Sequence, residues 1–172
     1  MTQYIDVYDN FLSSYYNDSY ERTFNGSEGN SFPWFFLNNL NGIKSKGNFY
    51  FCNVAYDPTL NINDTSQYAM YQPLLNRLNI TMSNVKRLKA NLYPLSGRRI
   101  HHQSHTDYKP NRGLRTCLYY PTPSNRFTIF DGKKRIRCKE NRAIIFDGSI
   151  RHHSTTPTDV NCACSVNIDY WV

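Results

Sequence analysis

Short apolar segments with a period of two dominate the second half of the chain. Apolar and polar residues alternate within each segment, and turn-forming residues separate one segment from the next. Such alternation is typical of β-strands that bury one face. It predicts strands over residues 85–93, 100–105, 114–120, 127–130, 134–138, 143–146 and 164–170. Asp131-Gly132 predicts a tight hairpin between two of them. Several short strands at this spacing indicate a sandwich or a barrel.

The first half of the chain carries a different pattern. Apolar residues recur at spacings of three and four between positions 66 and 78, which predicts a helix with one face in the core. The residues of this face are Tyr68, Met70, Tyr71, Leu74, Leu75 and Leu78. Pro73 requires a kink or a helix start there. Residues 1–31 predict one or two short helices followed by a loop, and residues 48–54 predict a strand.

Length and composition indicate one folded domain over residues 1–172. Hydrophobic residues make up 40% of the chain and charged residues 19%, a balance that excludes intrinsic disorder. Aromatic residues reach 15%, which favours strands over an all-helical bundle. We therefore expect a mainly β protein with N-terminal helices packed on it. Residues 1–31 form the helical or loop segment of this prediction, and residues 85–172 form its core barrel.

The net charge of +7 comes largely from a basic stretch around the predicted hairpin. Its residues are Lys133, Lys134, Arg135, Arg137, Lys139 and Arg142. A solvated hairpin is the ordinary interpretation, and an anionic partner such as nucleic acid is the alternative.

Targeting signals and cysteine usage predict the cellular compartment of the protein. No apolar run is long enough to span a membrane, and the first residues lack the basic-then-apolar pattern of a secretion signal. We therefore expect no membrane partner and a cytoplasmic location. The five cysteines are scattered and odd in number, which predicts reduced thiols rather than a disulfide framework.

Two histidine clusters carry the candidate chemistry. His105 and Asp107 are two residues apart, so that on a strand both side chains lie on one face. The pair His152-His153 follows a predicted buried strand and can supply a third ligand in a jelly roll. Two histidines and one carboxylate, with other positions open, are the ligand set of non-heme Fe(II) oxygenases.

The segments around these clusters resemble the 2-oxoglutarate- and Fe(II)-dependent dioxygenases, in particular the prolyl-hydroxylase-like group and its short bacteriophage members. The resemblance runs from about residue 32 to the C-terminus. It rests on residues 32–36, 89–94, 105–107, 116–120, 127–130, 141–147, 152–158 and 166–170, which occur in the family's order. It implies a double-stranded β-helix, which is a cupin-like jelly roll with the metal at its mouth.

The resemblance also implies the roles of individual residues. His105, Asp107 and His152 match the iron ligands, with His153 as the alternative to His152. The residues that match the 2-oxoglutarate pocket are Tyr93, Tyr120 and Ser165. The implied cofactors are Fe(II) and 2-oxoglutarate.

One position departs from the family pattern. The family places an arginine two residues before the serine that matches Ser165, where it binds the distal carboxylate of 2-oxoglutarate, and here that position is Ala163. We expect Arg115, on the strand that leads to Tyr120, to supply the missing cation, with Arg126 and Arg98 as further choices. The pocket accepting a different or smaller acid, and loss of the oxygenase reaction, are the alternatives.

The resemblance implies an enzyme that hydroxylates a C–H bond of a protein or peptide side chain, with proline as the leading residue type. For a phage-encoded protein, the host cytoplasm is the expected location. The alternative is a non-catalytic phage structural or assembly protein on a dioxygenase-like jelly roll, located in the virion with protein assembly partners. Ala163 favours this alternative, and the His105, Asp107 and His152 set opposes it.

Overall fold

β-Strands form most of the regular structure in the computed structural model, which describes residues 4–26, 32–38, 49–109, 113–132 and 134–172. The strands are β1 (Ile5–Asp9), β2 (Phe35–Leu37), β3 (Tyr50–Asp57), β4 (Ile62–Asn63), β5 (Val85–Pro94), β6 (Leu114–Tyr120), β7 (Phe127–Phe130), β8 (Lys134–Arg137), β9 (Arg142–Asp147), β10 (His152–Ser154) and β11 (Cys162–Trp171). The α-helices are α1 (Ser14–Asn25) and α2 (Tyr68–Leu78). Neither of these helices is long and apolar enough to cross a membrane.

The larger sheet is antiparallel and has the strand order β1-β9-β6-β11-β5-β3-β2, with β4 paired to β3. Its centre is β11, which pairs with β5 on one side and with β6 on the other. Ala163 on β11 lies opposite Tyr93 on β5, and Ser165 lies opposite Asn91. These central strands therefore place the residues of the predicted pocket side by side.

The smaller sheet has the order β10-β7-β8 and faces the larger one. Two isolated bridges, from His101 to Thr155 and from His105 to His152, join the segment before β6 to its β10 edge. Apolar side chains of both sheets, including Leu118 and Phe130, form one buried cluster between them. Two facing antiparallel sheets with these crossing connections form the double-stranded β-helix that the sequence predicts.

Strict alternation gives the larger sheet one apolar outer face and one mixed inner face. On β6, Cys117 and Tyr119 lie in the cluster that the two helices cover, whereas Leu118 and Tyr120 lie between the sheets. The helices contribute buried side chains to the outer cluster, among them Phe24 of α1. The inner face is therefore free to form a cavity lined by polar residues.

Most of the predicted elements are confirmed. The helix predicted over 66–78 is α2, which begins at Tyr68 because residues 65–67 form a 3₁₀ turn, and Pro73 lies inside it. The strand predicted over 48–54 is β3, and six of the seven later strands correspond to β5 to β9 and β11. The basic β8 strand is exposed apart from Ile136, as expected for a solvated hairpin.

Two predictions were wrong in detail. Residues 1–31 do not contain only helix and loop, because β1 precedes α1 and pairs with β9. The alternation of Ile5 and Val7, which pack on the inner cluster, was the missed signal. Residues 100–105 form only the two isolated bridges instead of a regular strand, since β10 beside them is three residues long and offers few partners.

Candidate metal centre

Three side chains meet at one end of the space between the sheets: His105, Asp107 and His152. One ligand atom from each lies within 4.8 Å of the other two. Nε2 of His105 lies 3.8 Å from Oδ1 of Asp107, and Nε2 of His152 lies 3.7 Å from Oδ2 of the same carboxylate. Backbone hydrogen bonds of 2.9 and 2.8 Å between His105 and His152 hold the two histidines in register. The strand pairing itself therefore assembles the cluster.

Both imidazoles present the same nitrogen to the centre of the cluster. Nδ1 of His152 donates to the carbonyl oxygen of Ile150 at 2.9 Å, and Nδ1 of His105 lies 3.3 Å from that of Gln103. A backbone acceptor at Nδ1 fixes the tautomer in which Nε2 carries the lone pair that a metal ion binds, and it also orients the ring. This is the donor arrangement that a metal-ligating histidine requires.

The electrostatics of the cluster favour a cation. Burial lowers the pKa of His105, and the neighbouring His152 lowers it further, so that the neutral imidazole predominates. A neutral imidazole is the form that binds a metal ion. The side chain of Asp107 is 5% exposed and supplies the negative charge. Two imidazole nitrogens and one carboxylate oxygen therefore fit a divalent transition metal such as Fe(II).

Asp107 is held by a buried polar network behind it. Nη2 of Arg87 donates to Oδ1 of Asp107 at 3.3 Å, and the Thr116 hydroxyl lies 3.2 Å from Oδ2. The fully buried Asp169 shares both partners: Nε of Arg87 lies 2.7 Å from Oδ2 and the Thr116 hydroxyl 2.7 Å from Oδ1. Tyr108 donates a further hydrogen bond to Asp169 at 2.8 Å. The network fixes the orientation of the candidate ligand.

A cavity of about 160 Å³ extends from the three ligands into the space between the sheets. Its polar walls come from alternate residues of β5 and β11, while the intervening residues face the outer core. The lining residues on these two strands are Arg87, Lys89, Asn91, Tyr93, Ser165 and Asn167. The other sheet contributes Arg126, Thr128 and Ser154. The cavity therefore joins a candidate metal centre to a polar, cationic interior.

The structure places the residues of the predicted cosubstrate pocket as follows. Tyr93, Tyr120 and Ser165 line the cavity. Burial raises the pKa of Tyr93 and that of Tyr120, so both are neutral phenols. The Tyr120 hydroxyl hydrogen-bonds with that of Thr128 at 2.6 Å.

The structure does not bring Arg115 to this cavity. Its guanidinium lies 4.8 Å from the centroid of the Tyr4 ring, in a separate depression on the helix side of the larger sheet. Arg115 shares a strand face with Cys117 and Tyr119, which are outer-face residues, and Tyr120 lies on the opposite face. The prediction that Arg115 supplies the cation of this cavity is therefore wrong, because residues an odd number apart on a strand face opposite ways.

The neighbouring histidines point away from the metal centre. Nδ1 of His153 lies 3.3 Å from Oδ1 of Asp131, and its Nε2 lies 3.3 Å from Nδ1 of His101. His152 rather than His153 therefore joins His105 and Asp107.

Several site residues escaped the sequence reasoning. Arg87, Lys89, Asn91 and Asp169 were not singled out, although they belong to the cavity wall or its supporting network. The signal was present in β5, where polar residues alternate with Leu88, Ala90 and Leu92. A polar face on a central strand of a buried sheet indicates a polar cavity rather than solvent.

Comparisons with known proteins support the fold. No protein-family model matches the chain, and no curated protein matches it significantly. Among solved structures, a prolyl-4-hydroxylase from Pseudomonas putida is 12% identical, with a TM-score of 0.61 over 99% of this chain and 94% of that one. A prolyl hydroxylase from Trichoplax adhaerens, in complex with a hypoxia-inducible-factor peptide fragment, is 18% identical, with a TM-score of 0.59 over 99% and 84%.

A third similar structure has a different reaction. The epimerase SnoN, in complex with Fe³⁺, alpha-ketoglutarate and nogalamycin RO, is 10% identical, with a TM-score of 0.61 over 97% of this chain and 78% of that one. At these identities the likeness shows the jelly-roll fold alone, and one fold serves many reactions. The function must therefore be argued from the site.

Proposed function

We propose that this protein is an Fe(II)- and 2-oxoglutarate-dependent oxygenase that hydroxylates a side chain of a protein or peptide. The observation that carries the proposal is the convergence of His105, Asp107 and His152 on one point at the end of a polar cavity. Two imidazoles and one carboxylate leave further metal positions open for a cosubstrate and for oxygen. When bound, Fe(II) and the 2-oxo acid would supply O₂-dependent oxidation of a C–H bond.

The chain's own residues orient the metal ligands and line the space for the cosubstrate. Ile150 and Gln103 hold the two imidazole rings through their carbonyl oxygens, and Arg87 with Thr116 holds the carboxylate. Tyr93, Tyr120 and Ser165 would contact the cosubstrate along the cavity. The mouth lies on the side of His105, whose side chain is 34% exposed, whereas that of His152 is 7% exposed. A substrate side chain would therefore approach past His105.

The substrate class is the part of the proposal that rests most on similar proteins. Two of the similar structures are prolyl hydroxylases, and one of them holds a peptide fragment. We infer a peptidyl side chain, with proline as the first residue to test. The epimerase SnoN, which has a similar fold, is in complex with the small molecule nogalamycin RO, so the assay needs both substrate types.

Metal binding is the first test. Mn(II) titration followed by electron paramagnetic resonance should give one tight site per chain in the wild type. His105→Ala, Asp107→Asn and His152→Ala should each abolish that site. The matched controls His101→Ala and His153→Ala change histidines of the neighbouring outward-facing pair and should leave it intact. Equal loss in all five variants would overturn the assigned ligands.

Turnover is the second test. The Fe(II)-loaded protein, supplied with 2-oxoglutarate and O₂, should form succinate and CO₂, and mass spectrometry should find one added oxygen in a proline-containing peptide. Metal binding without consumption of 2-oxoglutarate would overturn the enzymatic proposal. It would favour the non-catalytic phage structural or assembly role, for which Ala163 is the supporting observation.

A further inference from the structure

Arg126 is a buried arginine that has no acidic partner among the residues the structure describes. It is 2% exposed, and its Nη1 atom has no hydrogen-bond partner. Its Nε atom donates to the carbonyl oxygen of Thr155 at 2.9 Å, which satisfies one of five donors. A buried charge without a counter-ion is costly, so such a group indicates an anionic ligand. Arg126 lines the same cavity as the metal ligands.

The guanidinium of Arg126 lies over the ring of Tyr93. Its central carbon lies 3.7 Å from the centroid of the Tyr93 ring. Tyr93 is the cross-strand partner of Ala163, and neighbouring side chains on such a pair lie about 5 Å apart. Ala163 is fully buried and has only a methyl group, so β11 itself supplies no cation beside Tyr93. The guanidinium of Arg126 therefore lies next to position 163 of β11, although Arg126 itself directly precedes β7 of the opposite sheet.

Arg126 is preorganised for this position. Its carbonyl oxygen accepts a hydrogen bond from the Cys138 amide at 2.9 Å, which ties the backbone to the residue after β8. The bond from Nε to Thr155 directs the side chain inward, past the end of β10. A cation held in this way needs little reorganisation to bind a carboxylate with paired hydrogen bonds.

The β10 strand runs from the metal centre toward the part of the cavity that Arg126 lines. His152 is a candidate ligand, and Ser154, two residues further on, lines the cavity on the same side. Two residues of a strand span about 6.6 Å. Burial raises the pKa of Tyr93, and the neighbouring Arg126 and Ser154 offset part of that rise. One cavity therefore holds both the candidate metal ligands and Arg126, so a short dicarboxylic acid can place one end at the metal and the other at Arg126.

We propose that Arg126 binds the distal carboxylate of the cosubstrate and so selects a 2-oxo dicarboxylic acid. The inference rests on the proposed function for the metal end of that acid. Arg126 takes the position that Ala163 leaves open, and Arg115 does not. The other cavity cations are already engaged: Arg87 by Asp107 and Asp169, and Lys89 by the Tyr50 hydroxyl at 3.2 Å.

The test compares two acids that differ only in the distal carboxylate. Calorimetric titration of the Mn(II)-loaded chain with 2-oxoglutarate and with 2-oxopentanoate gives both dissociation constants. Arg126→Met should weaken 2-oxoglutarate binding about 30-fold or more, which corresponds to at least about 2 kcal/mol. Its affinity for 2-oxopentanoate should stay within about threefold. The control Arg115→Met, an arginine outside the cavity, should change neither constant.

A second variant keeps the proposal testable if Arg126→Met does not fold. Ala163→Asp supplies an internal carboxylate beside Arg126, so the buried charge keeps a partner. It should block 2-oxoglutarate binding to the same extent without lowering the melting temperature. Unchanged 2-oxoglutarate affinity in either folded variant would overturn the proposal. So would a large loss in Lys89→Met but not in Arg126→Met.

The same titrations on the metal-free chain separate this inference from the proposed function. If the wild type does not bind Mn(II), the oxygenase proposal fails, but a loss of 2-oxoglutarate affinity on changing Arg126→Met would still support the carboxylate site. If the wild type binds Mn(II) but not 2-oxoglutarate, the carboxylate site is overturned while the metal ligands stand.

Discussion

Nε of Arg87 lies 2.7 Å from Oδ2 of Asp169, and the same guanidinium reaches Asp107 through Nη2. Asp169 is fully buried, and burial raises its pKa while Arg87 lowers it. One arginine thus serves two carboxylates, of which one is a candidate metal ligand. The consequence is that Asp169 positions Asp107 without touching the metal.

Asp169→Asn should weaken metal binding about 10- to 100-fold, the usual effect of losing a partner behind a metal ligand. The variant keeps an oxygen near Thr116 but removes the charge that holds Arg87. Mn(II) titration measures the effect. Asp9→Asn, which weakens an exposed ion pair between Asp9 of β1 and Arg142 of β9, is the matched control and should leave the affinity unchanged. Wild-type affinity in Asp169→Asn would contradict the positioning role.

His102 should make the protein sensitive to acid. It is 5% exposed, and burial, together with the smaller effect of the nearby Arg126, lowers its pKa to about 3. Because the unfolded state takes up a proton near pH 6.5 and the folded state does not, stability should fall as the pH drops below that value. The loss should reach about 2 kcal/mol between pH 6.5 and 5.

Urea unfolding of the wild type and His102→Gln over this range checks the effect. The variant should lose much of the pH dependence, whereas His101→Gln, at an exposed histidine, should lose little of it. Parallel pH profiles for the wild type and His102→Gln would refute the assignment.

Cys162 should be the most reactive thiol. The thiol of Cys164, on the same face of β11, lowers the pKa of Cys162 to about 7, whereas burial raises that of Cys52, Cys117 and Cys138. Thiolate is the nucleophile, so iodoacetamide at pH 7 should label Cys162 first. Peptide mapping by mass spectrometry identifies the site. Cys164→Ser should slow the labelling, and first labelling at a buried cysteine would contradict the prediction.

Leu74→Ala should destabilise the helix-covered face by about 2–5 kcal/mol, because Leu74 of α2 is fully buried in the outer core and its loss leaves a cavity. Chemical unfolding measures this. Gln72→Ala, two residues before Leu74 and on the exposed side of α2, should change the stability by less than about 0.5 kcal/mol. Similar losses in both variants would place the helix differently from this structure.

The sequence alone was sufficient for β3, β5 to β9 and β11, because alternation reports directly which residues are buried. It also indicated two of the candidate metal ligands, since His105 and Asp107 are local neighbours on one extended segment. The position of Arg115 could have been judged in the same way: it lies five residues before Tyr120, and the two therefore face opposite sides of β6.

Sequence spacing was less informative at strand edges. β1 was missed because its pairing partner, β9, lies more than 130 residues away, and residues 100–105 pair only where short β10 reaches them. Hydrogen bonds to distant segments, rather than local preference, decide such edges.

The sequence by itself thus determined the mainly β class, the apolar face of α2 and the residue types that can hold a metal, and its family resemblance implied the jelly roll. The tertiary structure alone decided which histidine joins the pair and which arginine enters the cavity. His152 is selected by its bridge to His105, and Arg126 is selected because the facing sheet brings it over Tyr93 beside Ala163. Within a strand, residues an even number apart lie on the same face, so the sequence predicts which face each side chain occupies. Contacts between two sheets depend on how the sheets pack, which no local pattern records.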